Sequence, residues 1–534
     1  MRVAVVDALA RGRGVRYSTF DVVGAGPRVV AGIAETLGHR VRLLTYEEAV
    51  SGGLDASSVD AVFISAMATD MGAVVKLSRL LKNSSRDTVV VAGGPIGFSW
   101  RQLLSRSGDV DFVVVGEAEP VLTRLLDALD REGLEGLKTG EVPALAYKSG
   151  SGEPVLASPH LHASVQEITM FKHWSRVSLV YKPVGVYRYY VEVARGCSNF
   201  YRPILRELGC VRCMLCRSEV LEARFRCPAN IPPGCGFCSV PYMFGPARSI
   251  PVDYIREEVE GLVGDGARRI VLSAPDFLDY GRDWVVKGPL TDPCNPPANI
   301  DALEALLSSL SSLSVFERGE GVLMVENIKA CLVDESVARV LGRYLKGTTI
   351  HIGLETGDFE YNRDVLGKPI GLEHVAKASK LLRDAGLRPY VYLMYGLPLA
   401  SPKVYYKTLS GLKVLAESGV EKITLYKYIP LPGTAFEKLG TPVLSGEVSK
   451  VVGELKKRIA EYNLNLKKQL LGRELEVYLL YSRGRFYGYP VKHGPVVFVK
   501  GVKSRGFSGC RAVVRVVGVG ERYVTGLLER ITAC

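Results

Sequence analysis

Residues 1–190 contain no cysteine, and the whole chain of 534 residues holds only three glutamines and nine asparagines. Scarcity of labile amides beside abundant Arg, Val and Leu suits a protein from a hot source. No apolar run reaches the ~18 residues that would span a bilayer. Residues 1–7 (MRVAVVD) form a short strand that soon meets charge, not a signal peptide. A cytoplasmic location with reduced thiols is therefore expected, although hot sources also permit intracellular disulfides. Internal repeats and low-complexity tracts are absent, and nothing in the sequence speaks to oligomeric state.

What is present is ordinary for a globular chain, 47% hydrophobic and 23% charged. The length exceeds one core and predicts three domains. A net charge of +12 favours an anionic partner such as RNA, acidic lipid or an acidic cofactor, or it serves solubility alone.

Residues 1–135 alternate strand-like runs (Arg2–Val6, Val41–Leu44, Ala61–Ser65, Thr88–Ala92, Asp111–Val115) with helical stretches such as Gly26–Leu37. This rhythm predicts an α/β, doubly wound, Rossmann-like parallel sheet that binds ligands beyond its carboxyl ends. Two loops there, Gly93-Gly94-Pro95 and Gly116-Glu117-Ala118-Glu119-Pro120, are ligand candidates or simple tight turns. Residues 136–186 read as a connector with extended pieces at Pro143–Lys148 and Pro154–Leu156. From 187 to 448, strands (Tyr187–Val193, Ile270–Ser273, Gly321–Glu326, Thr349–Glu355, Pro389–Tyr395, Lys422–Tyr428) alternate with helices. The pattern predicts a partial (β/α) barrel with chemistry at the strand carboxyl ends. A basic helix, Ser449–Leu471, then leads into a Val-, Tyr- and Gly-rich segment that reads as a small antiparallel β-barrel.

Seven of the 11 cysteines lie between Cys197 and Cys238. Such density points to metal chemistry. Cys235-Gly-Phe237-Cys238 places two thiols within reach of one metal group. Cys210, Cys213, Cys216 and Cys227 fall in an insertion, 198–234, with Cys-x2-Cys-x2-Cys spacing. That spacing suits an auxiliary [4Fe–4S] cluster, a mononuclear iron or a structural zinc. Cys294, Cys331, Cys510 and Cys534 have no spacing partners and read as packing residues or a frayed terminus.

The ordered set of segments resembles the radical S-adenosylmethionine (SAM) superfamily. Ala194-Arg-Gly-Cys197 and Cys235-Gly-Phe-Cys238 resemble the two halves of its cysteine loop, separated here by 37 residues instead of three. Gly353-Leu-Glu355-Thr356-Gly357, Tyr395-Gly396-Leu-Pro398 and Ile429-Pro-Leu-Pro-Gly-Thr434 resemble later strand-end segments. The resemblance implies a [4Fe–4S] cluster on Cys197, Cys235 and Cys238, with the fourth iron open to SAM. One electron from an external donor then yields a radical that attacks an unactivated carbon. The other partition puts Cys227 in this triad and Cys197 in the auxiliary site; both stay open. Phe237, Gly353, Glu355, Thr356 and Gly396 are the implied SAM contacts, with a lysine ion pair as the other role for Glu355. Gly357 would also let the ligand approach. Arg248 would meet an anionic group or close a helix-entry salt bridge.

The first domain, preceding such a barrel, resembles the cobalamin-binding subfamily. Gly94 and Glu117 are then cofactor-loop candidates, although no Asp-x-His-x-x-Gly motif supplies an axial histidine. The last domain resembles a TRAM module. Its Tyr478, Tyr481, Phe486, Tyr487 and Tyr489 would stack bases, or would fill a barrel that caps the site. The implied function is modification of an unactivated carbon, by methylation or C–C bond formation, on RNA or an archaeal lipid. A tRNA methylthiotransferase and a non-catalytic, metal-stapled RNA-binding protein are the alternatives. The methylthiotransferase reading needs cysteines in the first domain, where none occur.

Overall fold

The computed structural model describes residues 1–18, 20–138, 142–159 and 162–534, with no side-chain description for 134–138. The chain divides into two compact units, 1–181 with 260–265, and 182–259 with 266–534.

Val- and Ala-rich runs, apolar on both faces, form the sheet of the first unit. Arg2–Asp7 lies between Arg40–Thr45 and Ala61–Ser65, and Val89–Gly93 and Phe112–Val114 follow, all parallel. The strand order reverses beside Arg2–Asp7, so the ligand crevice of such a sheet falls between the loops after Arg2–Asp7 and Ala61–Ser65. Leu145–Lys148 and Pro154–Leu156, read from sequence as connector pieces, instead extend this sheet antiparallel. Their short alternating runs carried no sign of which edge they would join.

In the second unit seven parallel strands form two sheets. Arg188–Glu192, Arg269–Ser273 and Val322–Val325 make the first. After a break at Glu326, Asn327–Ile328, Thr349–Glu355, Arg388–Tyr395 and Lys422–Lys427 make the second. Helices return the chain between strands, several of them started by a side-chain cap. The Asp334 carboxylate, for example, accepts the Val337 amide at 2.8 Å to cap Glu335–Leu345.

The carboxyl-terminal residues form a closed five-stranded barrel. It is antiparallel except where Val497–Lys500 runs parallel to Val524–Ala533. This small barrel packs on the amino-terminal ends of the parallel strands. Tyr478, Tyr489 and Val491 share one apolar cluster with Val271, Val322 and Met324. The Arg269 guanidinium donates to the carbonyls of Val186 and Pro490, and His493 meets Glu421 at 2.9 Å. The opposite, carboxyl-terminal ends carry the cysteines.

Two of the cysteine readings are corrected here. Cys294 pairs with Cys331 and Cys510 with Cys534 as disulfides, at sequence separations of 37 and 24. Only folding brings these loop and strand ends together, so no spacing rule could find them.

Candidate functional site

Cys197 and Cys235 are brought together despite the insertion because its two ends are clamped. Ala194–Arg195 pairs antiparallel with Arg248–Ser249. Gly196 then turns at φ +83°, where a Cβ would sit 2.2 Å from the Pro246 carbonyl oxygen. The Cys197 amide donates to the Gly245 carbonyl. Inside the clamp, the Gly234 amide donates to the Tyr201 carbonyl at 2.8 Å. Asn199 joins the halves, its backbone N–H 3.4 Å from Cys197 Sγ and its side-chain Nδ2 3.2 Å from Cys235 Sγ. Cys238 is near enough to both thiols for each to raise its pKa.

Burial is the main cause of the shifts, pushing Cys197 up to about 11 and Cys238 up to about 12, with Cys235 raised as well. Two ammonium groups face this thiol group. Lys329 lies near Cys197 and is held by Asp276, Asp279 and Ser198 at 2.7–2.8 Å. Burial opposes its charge, but Asp276 and Asp279 outweigh burial and keep it protonated. Lys368 lies near Cys235 and Cys238 and bonds Glu355 Oε1 at 2.6 Å. Three thiols facing two fixed cations match an anionic metal–thiolate group.

The remaining insertion cysteines form a separate set. Cys216 is influenced by Cys210, and Arg202 by Cys227, Cys216 and Cys213. Among the described residues, no three His, Cys, Asp or Glu side chains converge on a single-ion site.

Glu355 stands at the end of its strand with φ +68°. Such a non-glycine conformation costs about 1–3 kcal/mol and persists where its surroundings enforce it. The Lys368 bond and the Thr356–Asn362 knot do so. Thr356 is fully buried and its hydroxyl donates to Asn362 Oδ1, so it shapes the loop instead of lining a ligand surface. Gly353 makes room for the Lys368–Glu355 pair, and Gly357 for the Lys407–Thr408 backbone. Gly396, at φ +72°, is the one of these glycines that faces open space. Phe237 packs half-buried on the apolar cluster that includes Leu397 and Phe436. Arg248 donates to the Phe244 carbonyl, ending the short helix there.

Lys329, Lys368, Asp276, Asp279 and Asn199 were not singled out from sequence. Their signal was position, since Asp276 and Lys329 follow barrel strands directly, where such folds place their chemistry.

Polar and aromatic side chains also gather on the parallel strands. The Tyr190 hydroxyl donates to Glu326 Oε1 at 2.7 Å. His351 stacks on Tyr392 with centroids 5.0 Å apart, and burial holds its pKa down to about 3, so it is neutral. Tyr392 packs edge-on against Tyr426.

In the first unit the crevice loops are tied by Asp70, whose carboxylate accepts the amides of Ala10, Gly12 and Met67. They leave Val15, Tyr17 and Met67 exposed, Tyr17 by 57%. A set of exposed apolar groups at the switch point fits a large cofactor with an apolar surface. Gly94, at φ +86°, turns the neighbouring loop. Glu117 is turned into the fold, only 2% exposed, and accepts the Ala163 amide.

Family models match two stretches, the radical SAM superfamily over residues 225–403 and the B12-binding domain over 14–126. The chain belongs to the radical SAM superfamily. It is a radical SAM enzyme that carries a B12-binding domain, and the superfamily's cofactors are a [4Fe–4S] cluster and SAM. Neither match reaches the small barrel. Uncharacterized proteins of Methanopyrus kandleri and Methanocaldococcus jannaschii are 37% and 35% identical, over 99% and 100% of this chain and 96% and 100% of theirs. A tRNA-2-methylthio-N(6)-dimethylallyladenosine synthase of Fervidobacterium nodosum is 25% identical over 56% of this chain and 65% of its own. Among solved structures, the radical SAM methyltransferase TsrM from Kitasatospora setae, with tryptophan and a SAM analogue bound, aligns at TM-score 0.56. It is 13% identical, with 82% of this chain and 76% of that one covered. At that identity the likeness is one of fold. No helix of the described residues is long and apolar enough to cross a membrane.

Proposed function

We propose that this radical SAM enzyme modifies an unactivated carbon of an RNA, by methyl transfer or carbon–carbon bond formation. Cys197, Cys235 and Cys238 hold the SAM cluster, and an external one-electron donor serves it. The supporting observation is that Asn199 joins the Cys197 and Cys235 thiols, with Cys238 close enough to feel both, after the carboxyl-terminal ends of the strands. When bound, the cluster and SAM supply a carbon-centred radical, and cobalamin supplies a methyl carrier. The chain's own residues do the rest. Lys329 and Lys368 offset the cluster's charge, Gly396 leaves room at the mouth, and Phe237 covers the thiol loop. Tyr190, Glu326, His351 and Tyr392 offer hydrogen bonds to a polar group entering the lumen. The loops 8–18, 66–70 and 93–95 would hold cobalamin.

RNA is favoured over an isoprenoid lipid because polar side chains, Tyr190, Glu326, His351 and Tyr392, gather on the parallel strands. The small barrel gives partial support. Tyr478, Phe486 and Tyr489 belong to apolar cores and cannot stack bases. A half-buried strip remains, with Tyr487 and Phe498 in contact at a centroid distance of 5.1 Å and Phe498 meeting exposed Tyr523 at 4.0 Å. Arg485 lies over Phe498. Clustered aromatics beside arginine suit a single-stranded nucleic acid.

Anaerobic reconstitution with SAM, reductant and cobalamin tests the reaction. 5′-Deoxyadenosine together with S-adenosylhomocysteine is expected for methyl transfer, and 5′-deoxyadenosine alone for bond formation. No SAM cleavage at full cluster occupancy would overturn the proposal. RNA affinity against salt for Arg485→Glu and Tyr523→Ala tests the strip. Point variants are needed because the small barrel shares a core with the parallel strands. The methylthiotransferase relatives favour a second reading, sulfur insertion, which a product that gains sulfur would establish.

A further inference from the structure

The insertion contains a buried charge with no carboxylate partner among the described residues. Arg202 is 4% exposed. Its guanidinium donates only to backbone carbonyls, those of Ile231 (2.7 Å), Arg224 (2.5 Å), Phe200 (3.4 Å) and Phe225 (3.4 Å). The neighbouring Arg224, buried as deeply, shows the usual solution, an ion pair with Asp292 at 2.6 Å. A permanently charged group kept out of water needs a nearby negative charge. The thiols that influence Arg202 are those of Cys227, Cys216 and Cys213, Cys210 influences Cys216, and Cys210 and Cys227 pack against one apolar cluster.

The backbone of the same loop points the same way. Arg212 and Met214, the residues flanking Cys213, both take left-handed φ values of 53° and 60°, and Gly209 takes 75°. Left-handed residues interleaved along a short loop turn successive N–H groups into a concavity, a shape that recurs at phosphate and iron–sulfur sites. One such amide, that of Arg212, already lies 3.4 Å from Cys210 Sγ.

We propose that Cys210, Cys213, Cys216 and Cys227 ligate a second, anionic iron–sulfur cluster with all four vertices closed, and that Arg202 is its buried counter-cation. The proposal deepens the reading above in one respect, because it rests on Cys197, Cys235 and Cys238 belonging to the SAM cluster. Cys213 is exposed, which puts one edge of the cluster at the surface, where an external electron donor reaches it. Arg202 is a positioning residue: its charge stabilises the reduced, more negative form and so raises the reduction potential.

The test is iron, acid-labile sulfide and zinc per chain in anaerobically purified full-length protein. Wild type should carry about eight iron and eight sulfide. The triple variant Cys197→Ala/Cys235→Ala/Cys238→Ala should keep about half of each, and the quadruple variant of the insertion cysteines should keep the other half, with SAM cleavage as its separate readout. Arg202→Met should shift the midpoint potential of the cluster left in the triple background to a more negative value, or lose that cluster, while Arg202→Lys should retain it. A triple variant without iron and sulfide, or with zinc in place of sulfide, overturns the proposal. If both multiple variants keep their halves but SAM is never cleaved, the second cluster stands and the functional reading fails.

Discussion

Lys329→Met should open the cysteine loop from below. The ammonium bonds Asp276 Oδ2 at 2.8 Å, Asp279 Oδ2 at 2.7 Å and Ser198 Oγ at 2.8 Å. Both carboxylates are almost fully buried, and Arg282 reaches only Asp279. Methionine fills the space but leaves Asp276 charged and unpaired. Breaking a buried pair from one side costs about 3–5 kcal/mol. At 1.4 kcal/mol per tenfold, local opening becomes roughly a hundred- to several-thousand-fold more frequent. The amides of Ser198, Leu278 and Lys329, each bonded to one of these carboxylates, report it by hydrogen exchange.

The sign with pH follows from Asp276, whose pKa burial already raises in the wild type despite Lys329. In the variant it rises further. An acid raised above its unfolded value leaves stability intact below that value and removes it as pH climbs through the folded one. The deficit should therefore be small in acid and widen toward neutral pH. Lys329→Met/Asp276→Asn should recover most of the protection. A loss of less than about fivefold at neutral pH, or one that does not change with pH, would refute the assignment of this cluster as the support for Cys197.

In the apo protein, iodoacetamide should label exposed Cys213 before Cys238. Labelling of Cys238 should rise about tenfold per pH unit until its pKa of about 12, and a plateau near neutrality would contradict the burial. Gly196→Ala should lower iron content, because the added methyl meets the Pro246 carbonyl in a backbone conformation alanine rarely adopts; normal iron loading would show that the clamp tolerates rearrangement. Cys510→Ser should cost the small barrel about 3 kcal/mol, from the chain entropy of a cross-link spanning 24 residues. Urea melts with and without reductant measure it, and identical melts would mean the bond contributes nothing.

Local pattern carried the architecture. Repeating Val- and Ile-rich runs with helices between them specify parallel sheets wherever they occur, because each strand must bury both faces. Strand-end residues of such sheets are the chemistry-bearing ones, and the resemblance to the radical SAM superfamily implied Cys197, Cys235, Cys238, Glu355 and Gly396 among them. Tertiary structure alone decided which thiols stand together, because 37 intervening residues say nothing about distance until Ala194–Arg195 pairs with Arg248–Ser249. It also turned Thr356 and Glu117 inward, buried Tyr478, Phe486 and Tyr489, and joined the four cysteines without spacing partners into two disulfides. Lys329, Lys368 and Arg202 stayed invisible for the same reason. A charged residue has an ordinary place on the surface, and only the folded chain shows that these three are held inside, facing sulfur.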